Sequence, residues 1–183
     1  CVVLETIQGS AGFIKPKEDY LNKVKKRCHK VGALLILDEI QTGIGRTGKL
    51  FGFQNFNCEP DVIVFGKGLG GGMPIGAFTT SKKKMDVLHN DPILGHITTF
   101  GANPVICASA LETLKIVLNT KIMSGVVEKE KLIENLLIHK YIPERRGMGL
   151  MLFIILKKGG LAAKLVLNEK EIGLKFFFFL KEK

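Results

Sequence analysis

Two apolar runs in this chain each end in a group that can do chemistry. Ala33-Leu34-Leu35-Ile36-Leu37 runs into Asp38-Glu39, and Val62-Ile63-Val64-Phe65 runs into Gly66-Lys67-Gly68, with Leu69-Gly70-Gly71-Gly72-Met73-Pro74 after it. Each run has the length and aliphatic content of a buried strand. One delivers an acid and the other a lysine at its carboxyl end, where open α/β sheets place their ligand sites. A lysine framed by glycines leaves room for a flat cofactor to reach its amine, and a nearby aspartate can hold a protonated ring nitrogen. Those are the two protein groups that pyridoxal phosphate chemistry most needs. Read as residues alone, Lys67 is also compatible with a surface lysine after a strand, and Asp38 with an acid capping the next turn.

Three segments resemble one family. Leu37-Asp38-Glu39-Ile40-Gln41-Thr42-Gly43-Ile44-Gly45-Arg46-Thr47-Gly48 resembles the signature of the class III aminotransferases, the ornithine and acetylornithine aminotransferase group. Pro60 to Ala77, with Lys67 in its middle, resembles that family's Schiff-base lysine segment. His96-Ile97-Thr98-Thr99-Phe100-Gly101-Ala102-Asn103-Pro104 resembles its phosphate-binding segment. The resemblance covers Cys1 to about Leu118 and resumes more weakly from Arg146. It implies an α/β fold of the fold-type I pyridoxal phosphate-dependent transferases. Residues 1–119 would be the C-terminal part of the large cofactor-binding domain, with a mainly parallel sheet. Residues 120–183 would begin a smaller α+β C-terminal domain.

The same resemblance assigns roles. It implies that Lys67 forms a Schiff base with pyridoxal 5'-phosphate and then serves as general base and acid. Asp38 would sit under the pyridine nitrogen, Ile40 would pack on the ring face, and Gln41 would contact the phenolic oxygen. Thr99 would bind the phosphate of the neighbouring subunit's cofactor, with Thr98 one residue away; this implies a homodimer. Glu5 aligns with a glutamate near the cofactor and the glutamine. For Ile40, Gln41 and Thr99 a plain core or loop role is the other reading. The implied reaction moves an amino group from an amino acid or ω-amine to a 2-oxo acid. Ornithine-like ω-amino donors and 2-oxoglutarate are the expected partners. The alternative is a truncated, non-catalytic remnant or partner-binding fragment of such an enzyme.

These groups need a scaffold. Val2-Val3-Leu4 reads as a strand leading to Glu5, and Glu18 to Val31 as an amphipathic helix with Tyr20, Leu21, Val24 and Cys28 near one face. Gly32 is placed to end it in a left-handed conformation. Ile75 to Thr79 reads as a short strand, Lys82-Lys83-Lys84 as a turn, and Met85 to His89 as a short helix. Pro104 opens a helix reaching about Leu118. Val126 to Leu137 is a further helix, Tyr141-Ile142-Pro143 a connector, and Gly149 to Leu156 a strand. Lys157 to Gly160 reads as a turn, Leu161 to about Leu167 as helical and Leu174 to Leu180 as a strand. Alternating strands and helices predict an α/β fold.

Composition excludes several classes. The 183 residues suit one sizeable domain or a little more. No apolar run approaches the ~20 residues that span a bilayer, so no membrane partner is expected. The net charge of +10 is spread thinly, without interleaved aromatics, so nucleic-acid binding is not expected. Cys1, Cys28, Cys58 and Cys107 form no C-x-x-C pair and the histidines show no ligand spacing, so no metal site is expected. The absence of a secretory signal predicts a cytoplasmic setting, and the opening inside a strand predicts a missing N-terminal part. Gly43-Ile44-Gly45-Arg46-Thr47-Gly48 is a literal G-x-G-x-x-G, but it neither follows a strand directly nor opens a helix, so dinucleotide binding is not expected.

Departures from the family's pattern are few. Ser10 stands where many members carry a glutamate that gates a substrate-binding arginine. Thr6 replaces a common proline. Ala102 replaces a common glycine, a mild change unless the backbone there needs positive φ. No segment here matches the family's upstream phosphate cradle and ring-stacking aromatic, or its later carboxylate-binding arginine, so an incomplete cofactor cage is expected.

Overall fold

The computed structural model describes residues 1–90, 97–140 and 142–155. The turn, helix and strand expected beyond residue 156, together with His96 and Tyr141, lie outside the described residues.

Four strands form one sheet in the order β1 (Val2–Glu5), β2 (Leu35–Asp38), β3 (Val62–Gly66) and β4 (Gly76–Thr80). The first three are parallel and β4 runs antiparallel to β3. The expected mainly parallel α/β sheet is thus present, and its parallel strands point their carboxyl ends the same way. Register sets the geometry: Glu5 pairs with Asp38, and Asp38 with Val64.

Strand alternation splits the sheet into two faces. Val2, Leu4, Leu35 and Leu37 lie on the face covered by α1 (Tyr20–Lys30), where Leu21, Cys28, Phe56 and Cys58 complete a core cluster. Leu21, Leu35 and Leu37 are almost fully buried, each worth roughly 1.5–3 kcal/mol in apolar burial. Tyr20, expected on this face, is instead 45% exposed; the helix begins there, and the stripe that packs is Leu21, Val24 and Cys28. The helix ends as expected: Gly32 has φ +69°, Ala33 N–H donates to Cys28 O and Gly32 N–H to His29 O, which satisfies its last carbonyls.

Two short helices, α2 (Lys82–Met85) and α3 (Val87–Asn90), follow β4. The three lysines read as a turn therefore form the first of these helices. α4 (Pro104–Asn119) begins as expected, with Pro104 in its first turn and Asn103 Oδ1 accepting from Val105 and Ile106 N–H. α5 (Val126–Leu136) leads to an antiparallel hairpin, β5 (Glu144–Met148) and β6 (Met151–Ile155). The sequence predicts β6 within its Gly149 to Leu156 strand but predicts no strand for β5. The polar Glu144-Arg145-Arg146 start of β5 lacks a strand's usual composition, and pairing with β6 forms it regardless.

The hairpin docks on the first unit. Leu150 N–H donates to Arg46 O, Met148 packs against the α1 core, and Phe153 meets the Phe13 ring edge-on. Two glycines of the 43–48 loop face this layer, while a Cβ on the third, Gly43, would meet Glu39 O at 2.7 Å. A side chain on Gly45 would press on Met123, and Gly48 lies against Val126. The G-x-G-x-x-G is a seat for the α4–α5 connection and the hairpin.

Candidate functional site

The carboxyl ends of the three parallel strands carry Glu5, Asp38 and Lys67 side by side. Glu5 and Asp38 are register partners and therefore project to the same face, the one opposite α1. Lys67 comes three residues after Val64, the partner of Asp38. The sheet thus brings the two central sequence-predicted residues to one edge.

Local structure shapes each group. Asp38 Oδ1 accepts the Ile40 N–H at 2.9 Å, an Asx-type contact that turns the chain out of β2. The second carboxylate oxygen has no partner among the described residues. Lys67 is exposed, and its amine likewise has no partner among the described residues. Its backbone sits at φ +41°, a left-handed conformation that side chains other than glycine seldom adopt. Gly66 before it is required by close approach: a Cβ there would come within 2.7 Å of Ile75 O. The loop after Lys67 is clamped by α4, since Ser109 Oγ donates to Gly70 O at 2.8 Å and Thr113 lies against Gly71.

Glu5 and Gln41 are also brought together. Glu5 Oε2 accepts Gly9 N–H at 2.8 Å, and Gly9 has no Cβ to clash with the Gln41 amide that lies over it. The Gln41 amide has no hydrogen bond among the described residues. Ile40 is half-buried in the turn after β2.

Thr99 is placed differently. It lies exposed in the turn before α4, and its hydroxyl has no partner among the described residues. A cavity of about 820 Å³ opens between the 74–77 segment and the start of α4; Thr98, Asn103 and Cys107 line it, and Thr99 does not. Ala102, in the same turn, has φ +55°. The condition set on the missing glycine is therefore met: the backbone there has positive φ, and alanine carries strain.

Sequence reasoning missed Ile44, whose side chain packs against Gly68 immediately after Lys67. It also left out Glu39, which is fully buried and accepts from Thr6 and Thr42 hydroxyls and from Gly52 and Phe53 N–H. The strand's two-residue period signals only that Glu39 faces away from Asp38. The donors come from three separate segments.

At the opposite end of β3, Asp61 is ringed by cations. Lys25 Nζ lies at 2.6 Å, Lys84 Nζ at 3.3 Å and His29 Nε2 at 3.9 Å, and Leu35 N–H donates at 2.8 Å. Burial pushes this carboxyl up, but the hydrogen bonds from Lys25, Leu35 and Lys84 outweigh it and bring its pKa down to about 2. No group of three or more metal-ligating side chains exists among the described residues, and none of the helices there is long and apolar enough to cross a membrane.

The family model described as "Aminotransferase class-III" matches residues 1–179. Putrescine aminotransferase of Pectobacterium atrosepticum is 45% identical over 164 residues, 86% of this chain and 35% of that protein. The ornithine delta-aminotransferase of Plasmodium falciparum superposes with a TM-score of 0.78 at 37% identity, covering 95% of this chain and 45% of the other. The taurine:2-oxoglutarate aminotransferase of Bifidobacterium kashiwanohense, solved with PLP and glutamate, gives 0.76 at 32% identity, covering 84% of this chain and 36% of the other. The chain thus spans between about a third and a half of the length of these relatives.

Proposed function

The chain belongs to the class III aminotransferase family, and on that premise we propose that the protein transfers an amino group from an amino acid or ω-amine to a 2-oxo acid with pyridoxal 5'-phosphate as cofactor. The observation that carries this reading is that Asp38 ends β2 and Lys67 directly follows the adjacent parallel strand β3, each with an uncommitted polar atom at the sheet's carboxyl edge. Relatives that act on putrescine, ornithine and taurine favour ω-amino donors. In this reading residues 1–119 belong to the larger cofactor-binding domain and residues 120–183 to the start of the smaller one.

The residues present suit the cofactor by their chemistry. When bound, pyridoxal 5'-phosphate supplies an electron sink for the carbanion formed at the donor carbon. Lys67 Nζ would hold the cofactor's aldehyde carbon covalently and, once displaced by a donor amine, would carry the migrating proton. The free oxygen of Asp38 would accept from the ring N–H and keep that nitrogen protonated. The Gln41 amide would donate to the phenolic oxygen, Ile40 would cover one ring face, and Glu5 would steady this corner through Gly9. The exposed Thr99 hydroxyl suits a phosphate held by a second copy, so a homodimer is part of the proposal, as is a cytoplasmic location, which the four free thiols suit.

A non-catalytic role has one observation in its favour: Val3 and Phe78, on the Asp38 face, are 60% and 45% exposed, so this face lacks the cover that α1 gives the other. The test for both readings is whether pyridoxal phosphate, fixed with borohydride, labels Lys67 alone and whether a separate, unreduced sample loaded with pyridoxal phosphate turns over an ω-amine with a 2-oxo acid. Selective labelling with turnover supports the enzyme. Selective labelling without turnover supports the non-catalytic role.

A further inference from the structure

Glu39 is the only carboxylate among the described residues with no exposed surface, and it lies directly behind the proposed site. Its two oxygens accept four hydrogen bonds. Oε1 takes the Thr6 hydroxyl at 2.5 Å and Phe53 N–H at 2.8 Å; Oε2 takes the Thr42 hydroxyl at 2.5 Å and Gly52 N–H at 2.7 Å. A buried carboxylate with this many donors is held in one orientation, because losing any donor leaves lone pairs uncompensated. The close fit extends to Gly52, where a Cβ would meet Thr42 Cβ at 2.8 Å and Glu39 Oε2 at 3.2 Å.

The donors come from the end of β1, from the turn after β2 and from a short helical turn, Gly52–Phe56, linked to β3 by ring contacts. Thr6 directly follows β1, one residue after Glu5. Thr42 lies in the turn that carries Ile40 and Gln41. Gly52 and Phe53 belong to a turn whose Phe51 ring stacks on Phe53 and meets Phe65 edge-on at 5.4 Å, two residues before Lys67. Glu39 N–H also donates to Val64 O at 2.7 Å, which extends the β2–β3 ladder past Asp38. Thr6, standing where the family's resemblance leads one to expect proline, supplies a hydroxyl that proline could not.

We propose that Glu39 is a positioning residue, whose four-donor cradle fixes the rotation of the β2 end that presents Asp38 and Gln41 and, through the Phe51–Phe53 turn, the level of β3 that presents Lys67. The proposal rests on the reading of Lys67 and Asp38 given above. With the cradle intact, the end of β2 that carries Asp38 and the end of β3 that precedes Lys67 are held in one fixed register. With it loosened, the turn from Asp38 to Thr42 twists and the two groups lose their common aim.

The test uses the chain with Glu39→Gln, Thr42→Val and Thr42→Ser, and with Asp61→Asn as a variant weakened at the far end of the sheet. Two quantities are read: amide hydrogen exchange at Ile40 in the cofactor-free protein, and the ratio of borohydride-fixed pyridoxyl label on Lys67 to that on all other lysines. Glu39→Gln is expected to speed Ile40 exchange about tenfold and lower the Lys67 ratio about tenfold, the size of one lost charge-assisted hydrogen bond. Thr42→Val should shift both the same way by less, Thr42→Ser should restore both, and Asp61→Asn should keep the Lys67 ratio. If Glu39→Gln does not fold, the Thr42 pair decides. Wild-type ratios in Glu39→Gln and Thr42→Val overturn the proposal, as does an equal loss in Asp61→Asn, which would make Glu39 merely structural. Unselective labelling of the wild-type chain would instead overturn the reading of Lys67, and this proposal with it.

Discussion

The two ends of β3 carry opposite kinds of charge. At its start, Asp61 is nearly enclosed and satisfied by Lys25, Lys84 and the Leu35 amide. At its finish, Lys67 is exposed, strained at φ +41° and without a partner among the described residues. A paired, desolvated carboxylate contributes to folding and has nothing left to offer a ligand. An unpaired amine on a strained backbone contributes little to folding, and such strain concentrates at functional positions. The adjacent carboxylates at the end of β2 and just past it repeat the contrast: Glu39 takes four hydrogen bonds, while Asp38 takes one. Strand alternation lets one position hold the scaffold and the next face the ligand.

Exchanging the roles of these groups would break the comparison. Lys67→Ala is expected to remove all cofactor-dependent activity and selective labelling, with stability nearly unchanged because alanine keeps the same backbone strain; absorbance of the bound cofactor and a thermal melt check this. Asp38→Ala is expected to weaken cofactor retention by about tenfold or more, the cost of a lost charge-assisted hydrogen bond; dialysis against buffer followed by absorbance measures it.

Asp61→Asn should act in the opposite sense, on stability alone. Its folded pKa of about 2 lies below the ordinary 3.8, so its contribution is complete above about pH 4 and is lost as pH falls toward 2. That difference corresponds to about 2 kcal/mol. Urea melts should show Asp61→Asn less stable by about that amount at pH 7, with the gap closing between pH 4 and pH 2. The smallest effect sharpens the claim about strain. Ala102 and Lys67 both hold positive φ, but only Lys67 is assigned a role that repays it. Ala102→Gly should therefore stabilise the chain by about 0.5 kcal/mol, the αL strain being partly offset by glycine's unfolded freedom; the same melts detect it.

The core strands, α1 and α4 were legible because their signals are local: aliphatic runs, an i, i+3, i+7 stripe, a glycine stop and an Asn-Pro start. The positions of Asp38 and Lys67 at a shared edge followed from strand ends alone. What escaped was set by distant partners. The β5 strand forms only through pairing with β6, Glu39 draws its donors from residues 6, 42, 52 and 53, and Gly45 makes room for Met123. The strain at Ala102 belongs to the same class, since one residue's identity does not reveal its φ.

The central claim is that Lys67 is the cofactor lysine of a site assembled by this sheet edge. The most direct measurement is to add pyridoxal phosphate to the chain and to its Asp38→Ala and Asp61→Asn variants, reduce with borohydride, and map the labelled peptides. The expected result is label concentrated on Lys67 in the wild-type chain and in Asp61→Asn, and much reduced in Asp38→Ala. Label spread over surface lysines such as Lys23, Lys26 and Lys83, equally in all three proteins, would contradict it.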